Sequence, residues 1–288
     1  MDTPTTQFDS VKYKNTTREQ WQSAAEAWYR WSATLSKWLG PATNKMLQMA
    51  GVTAGHKVLD IAAGAGEQSI TAARIVGRGG YVLATDISPN ILEYAKKAAE
   101  QAGVQNINVA VMDGENLTLE DESFDVVISR VGLIYFPDQQ KALKEMLRVL
   151  KPGGKVAAIV YSTADKNKFF STPVSIIRTR AKLPPPLPGQ PGPFSLGAPG
   201  VIEDAFTKAG FINVDAQLID SPLQLTSANE CVQFEKESFG ALHQMMSSLS
   251  EEEKSSVWEE IERELKSFED ANSFTGPCEM IVAVGEKP

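Results

Sequence analysis

The stretch Val58–Ser69, VLDIAAGAGEQS, decides the fold. Val58, Leu59 and Ile61 are apolar residues of a buried strand, interrupted by one carboxylate, Asp60. Small residues follow without a break: Ala62, Ala63, Gly64, Ala65 and Gly66. A pattern with helical spacing then starts near Gln68. A strand that ends in such a turn and opens a helix leaves few Cβ atoms near the backbone N–H groups, so a ligand can approach them. In an open α/β sheet this place, the carboxyl end of the first strand, is the binding crevice. A small-residue turn also serves close packing of helix on strand, and both readings stand at this point.

The surrounding chain repeats the alternation. Strands are expected at Lys57–Ile61, Tyr81–Asp86, Ile107–Met112, Phe124–Ser129 and Lys155–Tyr161, with helices at Gln68–Val76, Pro89–Ala102 and Asp138–Leu150. Ser88 before Pro89 reads as an N-cap followed by proline at the first helical position. Leu143, Met146, Leu147 and Leu150 keep one helical stripe, which Pro152-Gly153-Gly154 brings to a stop. Strand, helix and strand with short links predict parallel strands covered by helices on both faces, an α/β doubly wound fold. After a helix at Val201–Ala209, strands at Phe211–Leu218 and Met280–Val284 complete a seven-stranded Rossmann-like sheet, with the last strand arriving antiparallel.

Three segments lie outside this alternation. Residues 1–50 are helical and hold four of the five tryptophans; Trp21, Trp28, Trp31, Leu35 and Trp38 fall on one helical face. Residues 163–200 include LPPPLPGQPGPFSLGAPG (Leu183–Gly200), too rich in proline and glycine for a helix or central strand, and are expected to form a lid loop. Residues 227–272 are a helical insert within the C-terminal part, 201–288. This insert ends in a helix with Ser250 and Glu253 as a capping box and Val257, Ile261, Leu265 and Phe268 on its apolar face. The division expected is a lid at 1–50, a core at 51–162, a lid loop at 163–200 and the rest of the core at 201–288.

Composition narrows the function. The chain has 288 residues and a formal net charge of −8, with a sequence pI near 5.0, which argues against a nucleic-acid partner. Nine acidic residues against three basic ones between Ser250 and Asp270 carry most of that charge. The two cysteines, Cys231 and Cys278, are too few and too scattered for a thiolate metal site, and no metal is expected. The polar N-terminal stretch and the lack of any long apolar run predict a cytoplasmic protein without a transmembrane segment.

A second carboxylate sharpens the crevice. Asp86 ends the second strand 22 residues after Gly64, where an acidic side chain accepts hydrogen bonds from ribose hydroxyls; it can also help cap the helix at Ser88. The frame from Gly64 runs G-A-G-E-Q-S, so Ser69 stands where the nicotinamide fingerprint wants glycine or alanine. The pattern Asp60-x-Ala62-x-Gly64-x-Gly66 resembles that of the class I S-adenosylmethionine-dependent methyltransferases, within them the ubiquinone/menaquinone-biosynthesis-like group. The run MDGENLTLEDESFDVVISRVGLIYFPDQQKALKEMLRVLKPGGKV is similar to the later motifs of that group: Asp113 ending the third strand, Phe124-Asp125 opening the fourth, and the Leu-Lys-Pro-Gly-Gly turn before the fifth. Ala62 departs from the family, which has glycine there.

The resemblance implies S-adenosylmethionine as cofactor and a role for each matching residue. Asp60 orients the loop and the cofactor's ammonium group. Ala62, Gly64 and Gly66 form the surface under the amino-acid part. Asp86 takes the ribose, Ile87 walls the adenine slot, and Asp113 accepts from the adenine amine between Met112 and Gly114. Ser129 or Arg130 meets the methionine part. Tyr29, Tyr135, Tyr161 and His243 are candidates for contacting an acceptor oxygen, and the aromatic and flexible lid segments imply a small, largely hydrophobic acceptor, methylated on oxygen or carbon. Two other readings remain open: a non-catalytic S-adenosylmethionine-binding subunit working through the acidic helix, and a nicotinamide-dependent oxidoreductase resting on the Gly64–Asp86 spacing.

Overall fold

A computed structural model describes residues 8–187 and 190–288. Two helices lead, α1 (Ser10–Arg30) and α2 (Ser32–Met49), and the alternation follows: β1 (Lys57–Ile61), α3 (Glu67–Val76), β2 (Tyr81–Asp86), α4 (Pro89–Gln101), β3 (Ile107–Val111), β4 (Phe124–Arg130), α5 (Gln139–Val149) and β5 (Leu150–Tyr161). Beyond it come α6 (Lys168–Arg180), α7 (Val201–Ala209), β6 (Ile212–Asp220), β7 (Leu223–Leu225), α8 (Ala228–Ser238), α9 (Gly240–Met245), α10 (Glu251–Leu265), β8 (Phe274–Gly276) and β9 (Glu279–Glu286).

Seven strands form one sheet in the order β3-β2-β1-β4-β5-β9-β6, and β7 pairs with β8 in a separate ribbon. β1 runs parallel to both β2 and β4, so the strand order reverses beside it and the crevice opens there. β9 is antiparallel to both β5 and β6, as expected for the last strand. The central strands read as continuous apolar runs because helices cover both faces: Val58, Val126, Val127, Ile128 and the stretch Val156–Val160 are fully buried.

Local signals act as the sequence indicates. Ser88 accepts from the Ile91 N–H with Pro89 opening α4, and Ser250 with Glu253 forms a reciprocal capping box on α10. Cys231 and Cys278 are buried free thiols.

Four expectations need correction. The segment 163–200 is not loop throughout, because α6 occupies Lys168–Arg180 with Pro173 inside it; within the Leu183–Gly200 run, residues 188 and 189 lie outside the described residues. The fifth strand starts at Leu150 instead of Lys155, so α5 stops at Val149, short of the Pro-Gly-Gly turn. Within the aromatic segment 1–50, of which residues 1–7 lie outside the described residues, residues 10–49 form two helices broken at Trp31, where ψ is 10°. The insert 227–272 is split into α8, α9 and α10, and Phe268 falls in a short 3-10 turn beyond the last of them.

Candidate functional site

A cleft opens at the carboxyl ends of β1, β2 and β4, and α1 roofs it. It contains about 1060 Å³ of empty space counted out to the open solvent at its mouth. Its floor is the β1–α3 loop. Gly64 and Gly66 have φ of 57° and 86°, and Ala62 takes the same left-handed region at 58°, a conformation that costs a residue with a Cβ about 1–2 kcal/mol.

The small residues of the loop divide their work. Ala62, Ala63, Gly64 and Ala65 line the cleft. Gly66 does not: a Cβ there would lie 2.9 Å from the Ala95 Cβ, so its missing side chain admits α4. Gly66 thus answers to helix packing instead of the surface under the cofactor's amino-acid part.

Asp86 lines the cleft at the tip of β2. Its Oδ2 accepts from the Gly64 N–H at 3.1 Å and its Oδ1 from the Ser88 N–H at 2.9 Å. Burial pushes the carboxyl up to about 6, against the pull of those N–H donors. Both oxygens keep further acceptor capacity, and a desolvated carboxylate gains from donors such as ribose hydroxyls. Asp60 lies one layer below. It is fully buried and accepts from Ser69 Oγ at 2.5 Å and Gln68 Nε2 at 3.4 Å. Burial pushes it up to about 7, with Ser69, Arg130 and Gln68 opposing. It holds the loop from behind through Ser69 and Gln68 and is not among the cleft-lining residues.

Ile87, Met112, Asp113 and Gly114 wall the cleft at the ends of β2 and β3. A Cβ on Gly114 would meet Phe136 at 2.6 Å, so this glycine makes room for an aromatic neighbour of the slot. Asp113 is held at one oxygen by the Glu115 N–H at 3.0 Å and at the other by Asn116 at 2.8 Å and Lys14 at 2.7 Å. Burial would raise it, but Lys14, Glu115 and Asn116 outweigh that and hold it below the ordinary carboxylate range.

At the end of β4 the two candidates part. Arg130 lines the cleft, whereas Ser129 is fully buried outside the lining, its Oγ without a partner among the described residues. Arg130 donates to Glu67 at 3.1 Å and to Thr43 at 3.3 Å, and Ser36 donates to the other oxygen of Glu67 at 2.5 Å.

The remaining wall is aromatic. Trp21 and Trp28 of α1, Tyr135, Tyr161 and Phe239 line it, with Trp21 edge-on to Trp28 and Tyr135 at 5.2 and 5.7 Å. Burial holds both tyrosine phenols well above their ordinary range, hence neutral. Tyr29 points elsewhere: its hydroxyl donates to Gln101 at 2.7 Å and its ring lies on Tyr94. His243 is likewise away from the cleft, with Nε2 2.7 Å from the Lys236 carbonyl. Lys14 and Glu67 are cleft residues that sequence reasoning missed. Lys14 sits in a polar stretch without periodicity, and Glu67 has the position of an ordinary first-turn acid on α3. Among the described residues no cluster of His, Cys, Asp and Glu could hold a metal.

Fold, cleft and sequence likeness together point to the class I S-adenosylmethionine-dependent methyltransferases and to that cofactor. Residues 37–175, a little under half of the chain, match the ubiE/COQ5 methyltransferase family. The ubiquinone/menaquinone biosynthesis C-methyltransferase UbiE of Haemophilus ducreyi is 41% identical over 117 residues, 40% of this chain and 45% of that protein. The chain spans about half the length of the curated relatives it matches. Among solved structures, YcgJ of Bacillus subtilis aligns with a TM-score of 0.56 at 20% identity, covering 86% of this chain and 98% of that one. The [4+2]-cyclase SpnF aligns with a TM-score of 0.53 at 16% identity, covering 86% of this chain and 80% of SpnF. Likeness at that level concerns the fold.

Proposed function

We propose that the protein transfers a methyl group from S-adenosylmethionine to a small, largely hydrophobic organic acceptor, on oxygen or carbon. The observation that carries this reading is the continuity of one cleft from Asp86 and Asp113 at the sheet edge to Trp21, Trp28, Tyr135, Tyr161 and Phe239 under the helical roof. The bound cofactor supplies an electrophilic methyl on a cationic sulfur, and transfer is an in-line displacement in which that charge is lost.

This chain's residues would then align the partners and exclude water. Asp86 holds the ribose, and Asp113 with Met112 and Gly114 holds the adenine. Arg130 and Glu67 neutralise one another in the wall, so the aromatic end of the cleft favours an acceptor that is itself uncharged or delocalised. The Tyr135 and Tyr161 hydroxyls line the chamber without a hydrogen-bond partner among the described residues; as neutral phenols they can orient an acceptor oxygen but are poor bases. An electron-rich ring carbon or a phenol meets these conditions, and the C-methyltransferase name of the ubiE relatives agrees with the former.

Calorimetry with S-adenosylhomocysteine, with Asp86→Ala as the control, tests the cofactor half; a labelled-methyl assay over a panel of phenols and electron-rich rings tests the other. The reading fails if the wild type does not bind in the micromolar range, or if it binds but leaves every apolar acceptor unmethylated.

A further inference from the structure

Helix α1 is fastened differently at its two ends. Near its C-terminus, Tyr29 meets Tyr94 and Gln101, the Trp28 indole donates to the Ser238 carbonyl at 2.9 Å, and Arg30 pairs with Glu237 at 2.8 Å. Near its N-terminus, Lys14, Thr17 and Trp21 share one face and line the cleft. There Lys14 Nζ donates to Asp113 Oδ2 at 2.7 Å and to Glu115 Oε2 at 2.6 Å.

The two carboxylates play different parts. Glu115 is buried, and its other oxygen accepts from the Asp138 N–H at 2.9 Å, so it is a fixed post. Asp113 faces the cleft, and its Oδ1, bonded among the described residues to the Glu115 N–H alone, retains acceptor capacity. Lys14 engages only Oδ2, so it anchors the side chain while leaving Oδ1 for a donor in the slot.

We propose that Lys14 is a positioning residue for the cofactor: it fixes Asp113 toward the adenine amine and latches α1 over the bound cofactor, which exchanges only when the Lys14 bridge to Asp113 and Glu115 opens. This rests on the cofactor reading above. The roof then swings from its pinned end near Tyr29, and the bridge, being part-exposed, weakens with ionic strength.

Stopped-flow release of S-adenosylhomocysteine, with a competitor in excess, tests the latch. Lys14→Met is expected to raise the off-rate about tenfold, the scale of one charge-assisted contact, and to lose most of the salt dependence seen in the wild type. Lys14→Arg restores both, and Glu115→Gln, which leaves Lys14 and Asp113 in place, raises the off-rate severalfold. In parallel, S-adenosylhomocysteine should slow chymotrypsin cleavage at Tyr13 and Trp21 in the wild type and not in Lys14→Met. The latch is overturned if both Lys14→Met and Glu115→Gln release at the wild-type rate, or if Lys14→Met binds more tightly, which would make Lys14 a competitor for Asp113. A wild type that binds no S-adenosylhomocysteine at all rejects the cofactor reading itself, an outcome distinct from either.

Discussion

The methyl of Ala62 occupies the space that a side chain at position 132 would need: a Cβ built on Gly132 would lie 2.4 Å from Ala62 Cβ and 3.0 Å from Ser129 Oγ. The loop carries alanine where the family has glycine, and Gly132 across the β1–β4 crevice leaves room for it. Two costs remain separate. Ala62 sits at φ 58°, so Ala62→Gly should stabilise the protein by about 1 kcal/mol. Gly132→Ala should destabilise it by about 1–3 kcal/mol through the clash, and the double variant should recover part of that loss. Urea unfolding of the four proteins measures the coupling, and additive effects would mean that the two positions do not share space.

Asp60 and Asp86 give stability an unusual pH slope. Both bind a proton more tightly folded than unfolded, since burial lifts them from 3.8 to about 7 and about 6. Their contribution is therefore full below the unfolded value and is lost as pH rises through the folded ones. Asp113 and Asp125, lowered by their lysine partners after burial is outweighed, act in the opposite sense and lose theirs in acid. Asp60→Asn removes one group without removing its side chain, so the fall in unfolding free energy between about pH 5 and about pH 7, up to about 1.4 kcal/mol per pH unit for one group, should flatten in the variant. An unchanged slope would place the Asp60 pKa near its ordinary value.

Glu235 is a fully buried carboxyl on α8; among the described residues its Oε2 has no partner and its Oε1 has only the Cys231 thiol, at 4.0 Å. Burial raises its pKa well above the carboxylate range, so it is a neutral acid with half its polar surface unsatisfied. Replacing such a group by an apolar one of similar shape removes the desolvation cost. Glu235→Met should stabilise the fold by about 1–3 kcal/mol at neutral pH, as read from the denaturation midpoint at constant slope. Destabilisation of that size would instead show Glu235 to be satisfied in solution.

The sheet was legible in sequence because buried parallel strands announce themselves as apolar runs between helical stripes, Asp86 because it ends such a run, and Asp113 because it follows the apolar stretch of the edge strand β3. Gly66 was not, since a glycine that admits a helix and one that admits a ligand are indistinguishable in sequence; only Ala95 separates them. The stripe from Trp21 to Trp38 hid the break at Trp31, where neither glycine nor proline marks the turn. Trp21 and Trp28, before the break, line the cleft, the Trp31 indole at the break donates to Glu237 at 2.6 Å, and Trp38 beyond it is buried in the core. Lys14 and Glu67 act through pairs far apart in sequence, 99 residues for Lys14 with Asp113 and 63 for Glu67 with Arg130, a relation that no local pattern carries.

The aromatic chamber makes the last prediction. The Tyr135 and Tyr161 hydroxyls have no protein partner among the described residues, while Tyr161 is held on several sides by the rings of Trp38, Phe169, Phe170 and Phe194. Removing either hydroxyl should therefore cost little stability, because no hydrogen bond within the protein is lost, and should leave S-adenosylhomocysteine affinity as it is. If the hydroxyls orient the acceptor, Tyr135→Phe and Tyr161→Phe should each lower kcat/KM for the acceptor about tenfold, the worth of one neutral hydrogen bond. The loss should fall on acceptors with an oxygen and vanish for analogues lacking it. Equal losses on both kinds of acceptor would assign the tyrosines to packing and leave the Arg130–Glu67 wall as the remaining polar guide in the chamber.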